Sequence, residues 1–382
     1  MDARVMSMLV SQPDTLNDLL ESVHATLLDR MPEIEHLACM LYEPNSGFLK
    51  TFLNSSCNDH PLSGYQFRLS DSQILSELAA SAECRVIDNI DDDLRPMVKQ
   101  SDGLPRQKYR SSFIVPMFNA EEFTGFIFFD ASRTGVFTDQ LQRDLLLCSR
   151  LIIMSIASEI SLVRTLLVTV KLAKDFTSLH DCETGLHLDR MAHYSRMIAS
   201  QLPESYQLND EFVEHIYMFA SLHDIGKIGV SDSILMKPGK LDPDERAAME
   251  LHVEKGVSIL KQVLSNYQLA DLRDSEMMLN IVAYHHEYLD GSGYPNGLAG
   301  DEIPLEARII TVADIFDALT SRRPYKKVWP VREAIEELKR MQHLNKLDAD
   351  CVAVLEANTA ELERIVVELA DEPENNSKMA LN

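Results

Sequence analysis

Apolar residues recur at helical spacing from Leu16 to Leu28 and predict a helix. Leu37 to Tyr42 and Phe48 to Leu53 are short apolar runs around the turn signal Glu43-Pro44-Asn45-Ser46-Gly47, and predict two strands. Arg85 to Ile87 predicts a further short strand. Phe113 to Phe118 and Phe123 to Phe129 are aromatic-rich runs joined by Asn119-Ala120-Glu121-Glu122, a hairpin signal. Thr138 opens a helix, with Asp139 in its first turn, where the helix dipole favours an acid. From 139 to about 176 there is neither Pro nor Gly, so one helix of more than ~50 Å is predicted. Within it Leu146, Ile153, Ile156, Ile160, Val163, Leu167 and Val170 follow three- and four-residue steps, weakened at Ser149. The stripe predicts a coiled-coil seam and a parallel homodimer, against the alternative of an ordinary core helix. Beyond this helix the texture changes. Helix-like segments cover 186–201, 209–225, 243–265, 275–287, 304–320 and 330–342, and long strand-type alternation is absent. The end, 371–382, contains Glu-Pro-Glu-Asn-Asn-Ser-Lys and is expected to be a disordered tail.

The 382 residues suggest two domains meeting near residue 150. Lys and Arg number 36 against 60 Asp and Glu, a formal charge of −24. A chain this acidic is a poor binder of duplex nucleic acid or an anionic membrane, both of which need surplus basic charge. A phosphate substrate would need a local cationic site, such as a metal. The six cysteines lack C-x-x-C spacing and are far too sparse for a disulfide scaffold, so reduced thiols are expected. Leu145 to Val170 is broken by Arg150, Glu159 and Arg164, short of the ~18 apolar residues a membrane span needs. The first residues have no long apolar core, so no secretory signal is read there and a cytoplasmic location is expected.

Eight of the 12 histidines fall between residues 180 and 286, several beside carboxylates. Glu183 and His187 are four apart and share a face if helical. His223-Asp224-Ile225-Gly226-Lys227 continues the apolar stripe of Phe212, Ile216 and Phe219 inward. Burying an acid beside a histidine is costly unless something cationic pairs with both. His252 lies on the next segment, and His285-His286-Glu287 precedes the glycine-rich Asp290-Gly291-Ser292-Gly293-Tyr294-Pro295-Asn296-Gly297. Such a loop lets backbone approach a ligand closely. Asp314 and Asp317 share a face of a segment apolar nearly all round, and need strong partners. Each residue alone reads as core more readily than as ligand. Together, imidazoles and carboxylates without thiolates suit Fe, Mn or Zn, and their number suggests two or three ions.

Two resemblances follow. Ser112-Phe113-Ile114-Val115-Pro116-Met117, Gly125-Phe126-Ile127 and Phe137-Thr138 make roughly residues 15–160 similar to a GAF domain. This implies an α+β sensory domain over 1–150 whose ligand is unknown; Cys57 and His60 read as ordinary loop residues. A connecting helix over 151–176 would follow. Asp181-Cys182-Glu183-Thr184-Gly185-Leu186-His187, His223-Asp224-Ile225-Gly226-Lys227, His285-His286-Glu287, Asp290-Gly291-Ser292-Gly293-Tyr294-Pro295, Ala313-Asp314-Ile315-Phe316-Asp317 and Arg323-Pro324-Tyr325-Lys326 closely resemble an HD-GYP domain, implying an all-α catalytic region over 177–370. The family hydrolyses cyclic di-GMP, and some members cyclic GMP-AMP. The resemblance implies metal ligands at His187, His223, Asp224, His252, His285, His286 and Asp314, with Asp224 bridging and Glu183 serving a third ion. It places Gly293, Tyr294, Pro295 and Asp317 with the substrate, and Lys227, Arg323 and Lys326 on phosphate. Two or three divalent ions, Fe or Mn, are expected. The competing expectations are another HD phosphohydrolase acting on nucleotides, and a catalytically idle nucleotide-binding effector.

Overall fold

The computed structural model describes residues 15–44, 46–56, 64–90, 109–177, 185–266, 275–321 and 328–370. Glu183, Arg323, Lys326, Cys57, His60, Cys182 and the expected tail lie outside the described residues. The chain divides into two compact units, Met1–Leu162 with Asn209–Glu211, and Val163–Leu208 with Phe212–Asn382.

The first unit is α+β. Its strands are β1 (His36–Glu43), β2 (Phe48–Ser56), β3 (Gln66–Arg68), β4 (Arg85–Ile87), β5 (Ser111–Asn119) and β6 (Glu122–Ala131). They form one antiparallel sheet in the order β3-β2-β1-β6-β5-β4. The hairpin expected at 119–122 closes with Asn119 opposite Glu122 and Ala120 at φ 54°, in the left-handed region. Helix α1 (Leu16–Arg30) starts at a capping box between Thr15 and Asp18. Its Leu16, Leu20 and Leu27 cover one sheet face with Leu37, Phe113, Ile127 and Phe129. Helix α2 (Gln73–Ser81) covers the other, packing Leu75 and Leu78 with Met40, Ile114, Phe126 and Phe128. Burial on both faces is why β6 is apolar without alternation. The sequence reading omitted β3 and α2, which are too short to show a period.

Helix α3 (Asp139–Thr177) is continuous over 39 residues. Part of its predicted seam is corrected. Ile156 is buried in the core of the first unit, and Leu146, Ile153 and Ile160 pack against that same core, so the chain's own sheet takes this stripe. The side chains of Val163, Leu167 and Val170 lie outside the described residues. A different face carries Leu147, Leu151 and Met154, exposed at 63%, 61% and 69%.

The second unit is helical beyond α3: α4 (Gly185–Gln201), α5 (Asp210–Phe219), α6 (Pro243–Glu250), α7 (His252–Asn266), α8 (Ser275–Tyr284), α9 (Leu305–Thr320), α10 (Val331–His343), α11 (Ala349–Ala357) and α12 (Thr359–Glu368). The segment expected at 243–265 breaks at Leu251, where His252 Nδ1 lies 2.8 Å from the Met249 carbonyl. The segment expected at 209–225 ends at Phe219 and tightens into 3-10 turns at Ala220–Leu222 and Ile225–Gly229. Helices α11 and α12 were not expected. Tyr194, Phe219, Ile281, Phe316, Leu338 and Leu355 are among the side chains of one continuous core. Among the described residues no helix is long and apolar enough to cross a membrane.

Candidate metal centre

The described candidate ligands other than Asp314 stand at or near helix ends. His187 is in the first turn of α4, His252 begins α7, and His285 and His286 directly follow α8. His223 and Asp224 sit between the two 3-10 turns after α5, and Asp314 lies on α9. Helix ends leave carbonyls without intrahelical partners. Histidines of the candidate set meet these carbonyls with Nδ1. His223 Nδ1 is 2.7 Å from the Ala220 carbonyl, and His285 Nδ1 is 3.0 Å from Ile281 and 3.2 Å from Val282. His187 Nδ1 instead meets the Asp317 carboxylate at 2.7 Å. A carbonyl or carboxylate oxygen only accepts, so Nδ1–H donates in each case and Nε2 presents its lone pair. Local structure thus sets the tautomer that a metal ligand needs.

The donor atoms converge. Four donors, from Asp224, His252, His285 and His286, lie within 4.8 Å of one another; so do three from His187, His223 and Asp314. Asp224 touches both groups: Oδ1 is 3.3 Å from His252 Nε2 and 3.8 Å from His285 Nε2, while Oδ2 is 3.1 Å from His223 Nε2. Lone pairs facing a carboxylate at such distances repel unless a proton or cation lies between them. Protons are disfavoured, since burial above all pushes His252 below its ordinary pKa and His286 well below it. Burial also works against charge on Asp224, but the Lys227 ammonium, first among the attractions that oppose it, helps hold the carboxyl well below the usual range. Nε2 of His187, His252 and His285, and Oδ1 of Asp224, are buried without a hydrogen bond. The residues therefore fit divalent cations, and their nitrogen and oxygen donors suit Fe, Mn or Zn.

Lys227 Nζ lies 2.6 Å from Asp224 Oδ2. The glycine-rich loop is fastened beside the ligands. A Cβ on Gly293 would fall 2.5 Å from the His286 carbonyl and from the Tyr288 nitrogen, so only glycine admits this approach. The Tyr294 amide donates to the His286 carbonyl at 3.2 Å, and its ring stacks on His286 with centroids 4.7 Å apart. The Tyr294–Pro295 bond is cis. Glu287 accepts from the Asn296 and Leu298 amides at 2.7 and 3.1 Å, a role that its place in the His-His-Glu run did not disclose.

Asp317 is corrected. Expected beside the substrate, it is 1% exposed, with both oxygens taken by His187 and Arg190. Burial opposes its charge, but the His187 and Arg190 hydrogen bonds bring its pKa down to about 2. Arg190 was missed because one arginine on an amphipathic helix reads as surface.

Residues 174–351 match the family model of the HD domain, so the second unit carries an HD domain. The chain is 44% identical over 186 residues to the cyclic di-GMP phosphodiesterase response regulator RpfG of Xanthomonas campestris, covering 48% of this chain and 46% of that one. It is 44% identical over 156 residues to the 3'3'-cGAMP-specific phosphodiesterase 2 of Vibrio cholerae, covering 41% of this chain and 28% of that one. The chain thus spans less than half the length of these curated relatives. Among solved structures, the GAF domain of an Acinetobacter phosphoenolpyruvate-protein phosphotransferase aligns at 17% identity and a TM-score of 0.32, over 40% of this chain and 89% of that one.

Proposed function

We propose that this chain is a metal-dependent phosphodiesterase that hydrolyses cyclic di-GMP to the linear dinucleotide pGpG. The observation that carries the reading is the position of Asp224, with one oxygen toward His252 and His285 and the other toward His223. That is the placement of a carboxylate bridging two ions. Bound at this centre, Fe or Mn ions would supply Lewis acidity and a water activated near neutral pH. His187, His223, Asp224, His252, His285, His286 and Asp314 would hold them, and Glu183 would serve a third. Lys227, with Arg323 and Lys326, would balance charge on the phosphate oxygens. Gly293, Tyr294 and Pro295 would form the wall on the substrate side. The names of the two relatives favour a cyclic dinucleotide, and the second makes cyclic GMP-AMP the alternative substrate. An idle effector would be expected to show damaged ligands, and each described position of the set carries a metal-binding side chain.

Regulation by the first unit belongs to the same proposal, since α3 passes unbroken across the division at residue 162. A homodimer through α3 would use the face bearing Leu147, Leu151 and Met154. The test incubates anaerobically purified protein with cyclic di-GMP and with cyclic GMP-AMP, resolves the products chromatographically, and measures bound Fe, Mn and Zn. His223→Ala and Asp224→Ala should abolish hydrolysis while the protein stays helical. Unchanged turnover in either variant refutes the assignment.

A further inference from the structure

Arg190 lies three residues after His187 on α4, and the side chain is 4% exposed. Its Nε donates to Asp317 Oδ1 at 2.6 Å and its Nη2 to Asp317 Oδ2 at 3.1 Å. This forked pairing fixes the carboxylate plane. The same Oδ2 receives His187 Nδ1–H. The remaining arm, Nη1, donates to the Leu369 carbonyl at 2.8 Å. Leu369 is the C-cap of α12, where the helix dipole leaves partial negative charge. Residue 369 also lies beyond the stretch that matches the HD domain, which ends at 351.

We propose that the end of α12 is a latch on the candidate metal ligand His187, acting through Arg190 and Asp317 as positioning residues. The inference rests on the metal-centre reading above. Leu369 holds one arm of the guanidinium, the other donors lock Asp317, and Asp317 sets the tautomer and ring orientation of His187. Coupling of this kind is reciprocal. A bound ion should tighten the end of α12, and loosening that end should weaken the ion.

The test uses the whole 382-residue chain, freed of metal and titrated with Mn²⁺ alone, with calorimetry for affinity and hydrogen exchange for local order. Wild type should bind Mn²⁺ and show slowed exchange near residues 365–369 on loading. Arg190→Gln should weaken one class of Mn²⁺ site by about 10–100-fold, the usual effect of losing a partner behind a ligand, and leave the other class unchanged. The slowing at 365–369 should disappear in that variant while persisting in α9. Arg190→Lys, which keeps charge but not the fork, should fall between the two, with circular dichroism confirming the fold. Wild type that binds Mn²⁺ beside an Arg190→Gln protein of equal affinity and equal slowing overturns the latch alone. Wild type that binds no Mn²⁺ overturns both the latch and the metal centre.

Discussion

Gly226 and Gly256 cross with no room for a side chain between them: a Cβ on Gly226 would lie 2.4 Å from the Gly256 nitrogen and 1.8 Å from the His252 carbonyl. This crossing brings the turn bearing His223 and Asp224 against the start of α7, where His252 stands. Both obstructing atoms are backbone, so they cannot swing aside. Gly226→Ala should therefore cost at least the ~1–3 kcal/mol of an overpacked core. A lowered melting transition and reduced metal content are expected. A variant that matches wild type on both counts would show that the crossing is looser than described.

Metal should stabilise the second unit, because it binds the folded donors and not the dispersed ones. At a free concentration of a thousand times Kd the gain is about 4 kcal/mol. Thermal scans before and after chelation, then with Mn²⁺ restored, should show one transition fall and recover. A transition indifferent to chelation would contradict the repulsion argument for the Nε2 atoms.

Lys227→Met should reduce turnover of a cyclic dinucleotide by about 10²–10³, the loss typical of one charge-stabilising donor. The readout is kcat at saturating substrate. An unaltered kcat would confine Lys227 to its ion pair with Asp224.

His24 gives a pH prediction for the first unit. Its ring is buried, with nitrogens 2.8 Å from Ser55 Oγ and 3.0 Å from the Ile34 carbonyl, and burial above all lowers its pKa from 6.5. The unfolded chain then binds the proton more readily than the folded one. Its contribution to stability is complete above 6.5 and is lost as pH falls from there through the folded pKa. In a histidine NMR titration the His24 resonance should move below pH 6.5. Titration at or above that value would contradict the burial.

If α3 joins two copies, Leu151→Glu should yield monomers by light scattering, because Leu151 is 61% exposed among the described residues. Ile156→Glu should instead damage the first unit, since Ile156 is 4% exposed in its core. Dissociation caused by Ile156→Glu with the fold intact would restore the seam first read from the sequence.

The longer elements and the residue types of the candidate metal centre were legible from the chain itself. Helix α3 has no breaker, the hairpin of β5 and β6 is bounded by turn residues, and the imidazoles and carboxylates fall into motifs with diagnostic spacing. Those signals are local, or they lie in the order of short motifs. Other features were settled only in three dimensions. Which stripe of α3 is free depends on what the sheet covers. Asp317 faces His187 and Arg190 rather than a substrate because α4 packs on α9, and side-chain direction between helices leaves no mark in spacing. Asp224 stands between two groups of donors because Gly226 and Gly256 allow their backbones to touch. Residue type is written in the chain, but contact between residues 179 positions apart, such as Arg190 and Leu369, is decided by packing.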